Sequence, residues 1–194
     1  SVLLGASIGV FLGFVAGYFG NISDEFVMRW MDVMLAFPGI LLALTLVAFM
    51  GPGQNNVIIA LGISSIPLYT RLVRGTVLSA KHNLYIEAAR ALGVSSWRIA
   101  FRHILPNVIG PLIVVATLGI GWAILNGAAL SFLGLGAKPP TPEWGTMLSE
   151  GRDYLRVAPW ITMFPGLAIM TLVIGVNLLG DGLRVALDPR MRST

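Results

Sequence analysis

Long apolar runs alternate with short polar intervals along the whole chain. Most of these runs approach the roughly 20 residues that a helix needs to cross a bilayer. They are 2–19, 33–50, 55–69, 107–132 and 160–179. Pro38 is expected to kink the second run, Pro67 to lie near the end of the third, and Pro165 to interrupt the fifth. The pattern predicts an all-α fold, a polytopic transmembrane helical bundle with five spans.

The composition strengthens the membrane assignment. Of the 194 residues, 56% are hydrophobic and only 11% are charged, and the mean hydropathy is +0.81. Soluble domains average about 25% charged residues, so this chain cannot cover a water-facing surface. The net charge of +4 is concentrated in loops that flank the spans and therefore does not indicate nucleic-acid binding.

The same composition excludes several kinds of site. There is no cysteine, which rules out disulfides, iron–sulfur clusters and thiolate metal sites. Both histidines lie in one basic interval, so no metal site is expected. The chain begins with Ser and is apolar at once, without the basic region of a signal peptide. We expect it to begin inside a span of a longer, N-terminally truncated protein.

Two polar intervals outside the spans are expected to form short helices. In 21–32, Ser23 is a candidate cap for a surface helix, although a plain connecting loop is the alternative. The apolar side of that helix would carry Phe26, Val27, Trp30 and Met31. In the second loop, 134–159, a helix is expected over Thr146 to Arg156 after the proline-rich start.

The longest charged interval lies between the third and fourth runs. From Arg71 to His103 it holds six of the 13 Lys and Arg residues, both histidines and one acid, Glu87. Leu84 to Leu92 contains good helix formers, and Gly93 follows where a left-handed cap ends a helix. Ser95 or Ser96 is expected to cap a second helix, which Pro106 stops. The interval therefore predicts a bent pair of short helices between two spans.

The distribution of Lys and Arg predicts the orientation. With five spans, one side holds 21–32, 70–106 and the C-terminus, with ten basic residues in all. The other side holds Lys138, Arg152 and Arg156. The positive-inside rule places the 70–106 loop and the C-terminus in the cytoplasm.

The spans offer little chemistry of their own. None contains Lys, Arg, Glu or His in its interior, which argues against an ion-coupled carrier and against intramembrane acid–base catalysis. Gly5, Gly9, Gly13 and Gly17 form a stripe that lets another helix approach closely. The same segment matches G-x-S-x-G around Ser7, the motif of a serine hydrolase, but neither histidine lies in a span to serve as its base. A stand-alone channel is a further alternative.

The charged interval resembles a known loop. Glu87-Ala88-Ala89, Gly93 and Leu105-Pro106 are similar to the E-A-A loop of ABC importer permeases, with one departure: His103 stands where the family has isoleucine, and Ile104 follows. Other stretches resemble the dipeptide/oligopeptide/nickel branch, which also includes glutathione permeases. They are 36–43, 131–136, 139–145, 180–184 and 188–190.

The resemblance implies a function and a set of partners. Residues 1–194 would be an ABC permease transmembrane domain of the bacterial inner membrane, with about six spans in the full protein. It would import di- or oligopeptides, or alternatively nickel or glutathione. Its partners would be the lipid bilayer, a homologous second permease, two ATP-binding subunits and an extracytoplasmic solute-binding protein. No Walker A loop is present, so ATP and Mg²⁺ would be bound by the ATPase subunits, and this chain would be no enzyme.

The resemblance also implies roles for individual residues. The ATPase-coupling loop would comprise Glu87, Ala88, Ala89, Gly93, Leu105 and Pro106. Glu87 would contact the ATPase subunit or, alternatively, pair internally with Arg90 or Arg98. Trp144 and Tyr154 would contact the binding protein or anchor the external loop at the membrane interface. Asn126 and Asn177 would line the pathway or form helix–helix hydrogen bonds.

Overall fold

The computed structural model describes residues 1–138 and 140–187. Every regular element within these ranges is a helix. The α-helices are α1 (Val2–Phe19), α2 (Asn21–Leu35), α3 (Gly39–Met50), α4 (Gln54–Lys81), α5 (Leu84–Ala91), α6 (Ser96–Arg98), α7 (Leu105–Phe132), α8 (Trp144–Gly151) and α9 (Trp160–Leu187). A π-helical turn, Ile99–Ile104, joins α6 to α7, and a 3₁₀ turn, Arg152–Tyr154, follows α8. The all-α prediction is confirmed.

The described residues contain four to five candidate membrane spans. Four helices are long and apolar enough to cross a membrane: α1, α4, the continuous Ser96–Phe132 helix and α9. Helices α2 and α3 pass the same test only as a pair, and they are bent by 86° where they meet.

The prediction of a single kinked helix over 33–50 was wrong. Its first residues belong to α2, and α3 has only 12 residues, which cover about 18 Å of the roughly 30 Å hydrocarbon core. The break falls at Pro38, which lacks an N–H donor and disfavours the helical conformation of the residue before it.

Helix α4 is longer than predicted. It continues 12 residues beyond Tyr69 to Lys81, with Pro67 in its interior, so Arg71 and Arg74 are helical rather than loop residues. Buried Val73, Val77 and Ala80 recur at helical spacing on this extension. Packing of that apolar face stabilises the continuation although basic residues interrupt the hydrophobic run.

The glycine stripe of α1 packs directly on α4. All four glycines are buried. A Cβ atom added at Gly9 would lie 2.5 Å from the Cβ of Tyr69, and one at Gly17 would lie 2.9 Å from the Cβ of Val77. The close approach predicted from the spacing is therefore confirmed.

The two short helices outside the long spans are present, with changed starts. Helix α2 begins at Asn21, so Ser23 does not cap it, and the Ser23 hydroxyl donates to the Gly20 carbonyl instead. Helix α8 begins at Trp144 because the Glu143 carboxylate accepts the Thr146 N–H at 3.0 Å, an N-cap. It packs against both α7 and α9.

Candidate functional site

Helix α5, in the loop between α4 and α7, is fixed to the bundle by one apolar side chain. Ile86 is 0% exposed and packs in a cluster with Val73, Val77 and Ile104. These partners come from α4 and from the π-helical turn. A short isolated helix is only marginally stable in water, so this buried contact holds α5 in place.

Gly93 ends α5 in the manner that the sequence predicts. Its φ is +76°, a conformation that costs other residues about 1–2 kcal/mol. The Gly93 N–H donates to the Arg90 carbonyl at 2.9 Å, and the Val94 N–H donates to the Ala89 carbonyl at 3.1 Å. This pair of bonds is the Schellman motif. It turns the chain sharply, so that Val94 and Ala89 both contact the buried cluster.

The outward side of the loop combines apolar and acidic residues. Leu84 is 82% exposed and Leu92 is 83% exposed, while Glu87 and Ala88 are exposed between them. Within the described ranges Glu87 is in no ion pair, so its predicted internal pair with Arg90 or Arg98 is absent. Exposed leucines around an unpaired carboxylate are typical of an interaction surface.

The second half of the loop differs from the prediction. Helix α6 begins after Ser95, but no side-chain hydrogen bond caps it. Pro106 does not end this helix, because it lies in the first turn of α7, where a proline needs no hydrogen-bond acceptor. The loop is therefore continuous with a transmembrane helix through the π-helical turn.

The π-helical turn contains His103 and Ile104, where this chain departs from the E-A-A loop motif. Ile104 is fully buried, whereas His103 is half-buried and its ring lies 6.4 Å from the ring of Tyr85. The Asn107 amide donates to the Tyr85 hydroxyl and to the His103 carbonyl, both at 2.8 Å. Leu105 is half-buried and Pro106 exposed. The isoleucine thus keeps a buried position, and the histidine ring lies beside the Tyr85 ring of α5.

The loop is also attached to the end of α1, which the sequence did not indicate. The Tyr18 hydroxyl donates to the Ser96 carbonyl at 2.7 Å. The Lys81 ammonium donates to the carbonyls of Gly17 and Tyr18 at 3.2 and 2.8 Å, which are among the last residues of α1 and carry its negative dipole end. No local motif marks these contacts, since they join residues far apart in sequence.

Two ion pairs hold α2 against α4. The Arg74 guanidinium binds both carboxylate oxygens of Asp24, and the Arg71 guanidinium binds Asp32 at 2.6 Å. The first pair is partly buried and the second is half exposed. A bidentate arginine–carboxylate pair fixes geometry as well as charge, so α2 is locked onto the segment that leads into the loop.

The remaining predicted site residues lie elsewhere in the bundle. The Asn126 amide donates to the Trp122 carbonyl of its own helix at 2.8 Å. Asn177 lies against Gly121, at the contact between α9 and α7. Trp144 lines a cavity of about 800 Å³, and Tyr154 is exposed in the 3₁₀ turn. The pathway and binding-protein roles of these residues stay predictions.

The alternative sites gain no support. The Ser7 hydroxyl donates to the Leu4 carbonyl of its own helix, and His82 contacts the Leu78 carbonyl. Among the described residues there is no cluster of His, Asp and Glu that could hold a metal ion.

Some of the predictions fall outside the described residues. They are the resemblance at 188–190, part of the resemblance at 139–145, and the basic residues Arg190 and Arg192.

Comparison with known sequences shows one consistent family. Residues 9–193 match the family described as binding-protein-dependent transport system inner membrane component. The chain is 52% identical over its whole length to the glutathione transport system permease protein GsiD of Pectobacterium atrosepticum, of which it covers 64%. It is 53% identical to the dipeptide transport system permease protein DppC of Alkalihalophilus pseudofirmus, covering 95% of this chain and 61% of that protein. The chain thus spans less than two thirds of these relatives.

A similar fold occurs in a solved transporter. A chain of the MetNI methionine ABC transporter, in an inward-facing conformation, superposes with a TM-score of 0.73. The match covers 96% of this chain and 89% of the other at 20% identity. This likeness shows the fold alone.

Proposed function

Because the chain belongs to the family of binding-protein-dependent transport system inner membrane components, we propose that it is the transmembrane permease subunit of an ATP-driven importer of di- and oligopeptides. Residues 1–194 form one transmembrane domain in this proposal. The domain forms the translocation pathway together with a homologous second permease. A solute-binding protein delivers the substrate from outside, and two ATPase subunits bind ATP and Mg²⁺ on the cytoplasmic side.

The observation that carries the proposal is the outward surface of α5. Exposed leucines flank the unpaired Glu87, while Ile86 on the opposite side anchors the helix in the bundle. A helix whose exposed side is apolar and whose buried side is fixed in the bundle suits docking into a groove of a soluble subunit. Movement of that subunit would reach α7 through the continuous 96–132 helix.

The proposed orientation places this loop and the C-terminus in the cytoplasm. The excess of Lys and Arg on that side supports it. The 194 residues contain no cysteine, so single-cysteine variants at Ala88 and at Thr141 can report the two sides. We expect a membrane-impermeant maleimide added outside intact cells to label Thr141→Cys and not Ala88→Cys. The reverse pattern would contradict the orientation.

The pathway would lie along the cavity at the other end of the bundle. Its lining includes Thr117 and Ser131 of α7 together with Trp144 of α8. Small polar side chains beside an aromatic ring suit a peptide with mixed polar and apolar groups. Asn126 and Asn177 do not line this cavity, so their proposed pathway role would depend on the second permease.

The substrate class follows from the named relatives. They are permease proteins of a glutathione transport system and of a dipeptide transport system. Glutathione is itself peptide-like, so import of glutathione is the second candidate within the same architecture, and nickel complexes are a third. Uptake by membrane vesicles that contain the full transporter and its binding protein, with each labelled compound in turn, separates the three.

The coupling proposal is tested in the reconstituted importer with all its subunits. Replacing Glu87 by Gln removes the unpaired carboxylate without disturbing any contact within the described structure. We expect substrate-stimulated ATP hydrolysis and transport to fall together, by about tenfold for the loss of a charged interfacial hydrogen bond. Glu150→Gln, an exposed acid on α8, is the matched control. Native rates of both substrate-stimulated ATP hydrolysis and transport in Glu87→Gln would contradict the role of this loop.

The two other functions make distinct predictions. A serine hydrolase would be labelled by a serine-reactive phosphonate, and the label would be lost in Ser7→Ala. A stand-alone channel would conduct ions without partner subunits. We expect no labelling, since Ser7 has no base beside it in the described bundle. We also expect no conductance from the chain alone.

A further inference from the structure

A second cavity, of about 320 Å³, lies between α4 and α7 and is named here the Tyr69 cavity. Leu61 of α4 and Ala123 of α7 line both this cavity and the larger one of about 800 Å³, so the two adjoin. The larger cavity reaches Gln54 and the smaller one reaches Tyr69, which lie about 22 Å apart along α4 at the helical rise of 1.5 Å per residue. Together they follow much of the roughly 30 Å hydrocarbon core.

The Tyr69 side chain is buried, but its hydroxyl is unpaired. Tyr69 is 1% exposed, and its hydroxyl makes no hydrogen bond with any described residue. Every wholly buried side-chain oxygen and nitrogen among the described residues has a hydrogen-bond partner. The unpaired hydroxyl is therefore not wholly buried, and it opens into the cavity that Tyr69 lines.

Two glycines fix the position of this ring. A Cβ atom added at Gly119 of α7 would collide with the Tyr69 hydroxyl oxygen, so the glycine makes room for the hydroxyl. On the side of α1, a Cβ atom added at Gly9 would lie 2.5 Å from the Cβ of Tyr69. A polar group that is held in a packed interior without a partner is unfavourable and needs an explanation. A ligand that enters the cavity would provide the missing partner.

The lining of the Tyr69 cavity suits a neutral polar group. The hydroxyls of Ser64 and Ser65 donate to the carbonyls of Leu61 and Gly62 in their own helix, so their oxygens can accept a further bond. The Tyr69 hydroxyl is free to donate one. No Asp, Glu, Lys, Arg or His belongs to the described lining. A group with one carbonyl and one N–H, such as a main-chain amide, fits this lining better than the charged ends of a peptide.

We propose that the Tyr69 hydroxyl donates a hydrogen bond to a main-chain carbonyl of the peptide in transit, which makes Tyr69 a substrate-contacting residue of the pathway. This assignment rests on the proposed import of peptides. Peptides differ in their side chains and share the main-chain amide, so one such contact serves many sequences. An acyl chain or an apolar helix would fill the cavity but leave the hydroxyl unpaired. A bound water would pair the hydroxyl without distinguishing between substrates.

The experiment compares two substrates in the reconstituted importer with its binding protein. One is labelled alanyl-alanine, and the other is its thioamide, in which sulfur replaces the carbonyl oxygen and accepts hydrogen bonds only weakly. Tyr69→Phe removes the hydroxyl alone. We expect kcat/KM for alanyl-alanine to fall about fivefold, as for the loss of one neutral hydrogen bond, and kcat/KM for the thioamide to fall less than about twofold. Because the same binding protein serves both permease variants, its own preference between the substrates cancels.

Thermal unfolding is the readout for a purely structural role. Tyr69→Phe breaks no hydrogen bond within the described residues, so the melting temperature should not fall. Thr76→Val, on the same helix, is the matched control. The Thr76 hydroxyl donates to the Leu72 carbonyl of its own helix, and Thr76 lines neither cavity. This variant should leave the ratio of the two kcat/KM values unchanged.

Each alternative has its own outcome. Equal falls for the two substrates would show that the hydroxyl does not contact the carbonyl, and a lower melting temperature with equal falls would identify a structural water or protein contact. No fall for either substrate would show that the peptide passes elsewhere. Each of these results overturns the assignment while peptide import stands. Failure of the native importer to take up alanyl-alanine would instead contradict the proposed function, and the assignment would fall with it.

Discussion

The hydroxyl of Tyr18 donates a hydrogen bond to the carbonyl of Ser96 at 2.7 Å, across 78 positions of sequence. It joins the last turn of α1 to the first residue of α6. Because α1 is packed on α4 along its glycine stripe, this bond attaches the candidate coupling loop to the most closely packed helix pair of the bundle.

Tyr18→Phe should destabilise the protein modestly. The ring stays in its stack with Phe14, but the Ser96 carbonyl loses the tyrosine hydroxyl and keeps the Ile99 N–H, and the lost hydrogen bond contributes about 0.5–1.5 kcal/mol. The free energy of unfolding in mixed micelles measures this. Tyr154→Phe, at an exposed tyrosine whose hydroxyl makes no hydrogen bond in the described structure, is the control and should change the free energy little. A loss in the control as large as in Tyr18→Phe would argue against the bond.

Gly93→Ala should destabilise the loop, because alanine at a φ of +76° costs about 1–2 kcal/mol. Proteolysis of the loop and hydrogen exchange at Val94 should both accelerate, and transport should become uncoupled from ATP hydrolysis. Gly75→Ala lies within α4, where an added Cβ meets nothing within 4 Å, and it should be neutral or slightly stabilising. If Gly93→Ala exchanged as slowly as the native protein, the Schellman turn would not be what fixes the loop.

Gly9→Ala should separate α1 from α4. The added Cβ would lie 2.5 Å from the Cβ of Tyr69 and 3.0 Å from the Ile66 carbonyl, and such overpacking costs about 1–3 kcal/mol. Thermal unfolding of the purified protein measures the loss. Gly110→Ala, where the new methyl group meets no atom within 4 Å, is the matched substitution in α7 and should be tolerated. Equal melting temperatures for the two variants would contradict the close packing.

Asp24→Asn should loosen α2. The partly buried Arg74 guanidinium would lose its carboxylate partner, at a cost of about 1–3 kcal/mol. Glu25→Gln is the control, because the Glu25–Arg29 pair is exposed and 3.9 Å apart, where a pair contributes little. Hydrogen exchange over 21–35 should accelerate in the first variant alone. Acceleration of the same size in Glu25→Gln would show that the effect is one of net charge.

Several features could be predicted from the sequence because they depend on neighbouring residues. Gly93 ends α5 since a left-handed turn after a run of helix formers needs glycine. The stripe from Gly5 to Gly17 faces another helix because a four-residue repeat puts small residues on one side. The hydrophobic runs predict transmembrane helices, although Pro38 ends a helix where only a kink was expected.

Only the tertiary structure decided how these elements are joined. Helix α4 continues to Lys81 because its apolar face packs in the bundle and Asp24 and Asp32 bind its arginines. The bond between Tyr18 and Ser96 and the ring stack from Trp97 to Tyr18 join residues that no local pattern relates. The sequence by itself determined where the apolar segments lie and where α5 ends, since those properties are local. Which residues meet was decided by packing between distant segments.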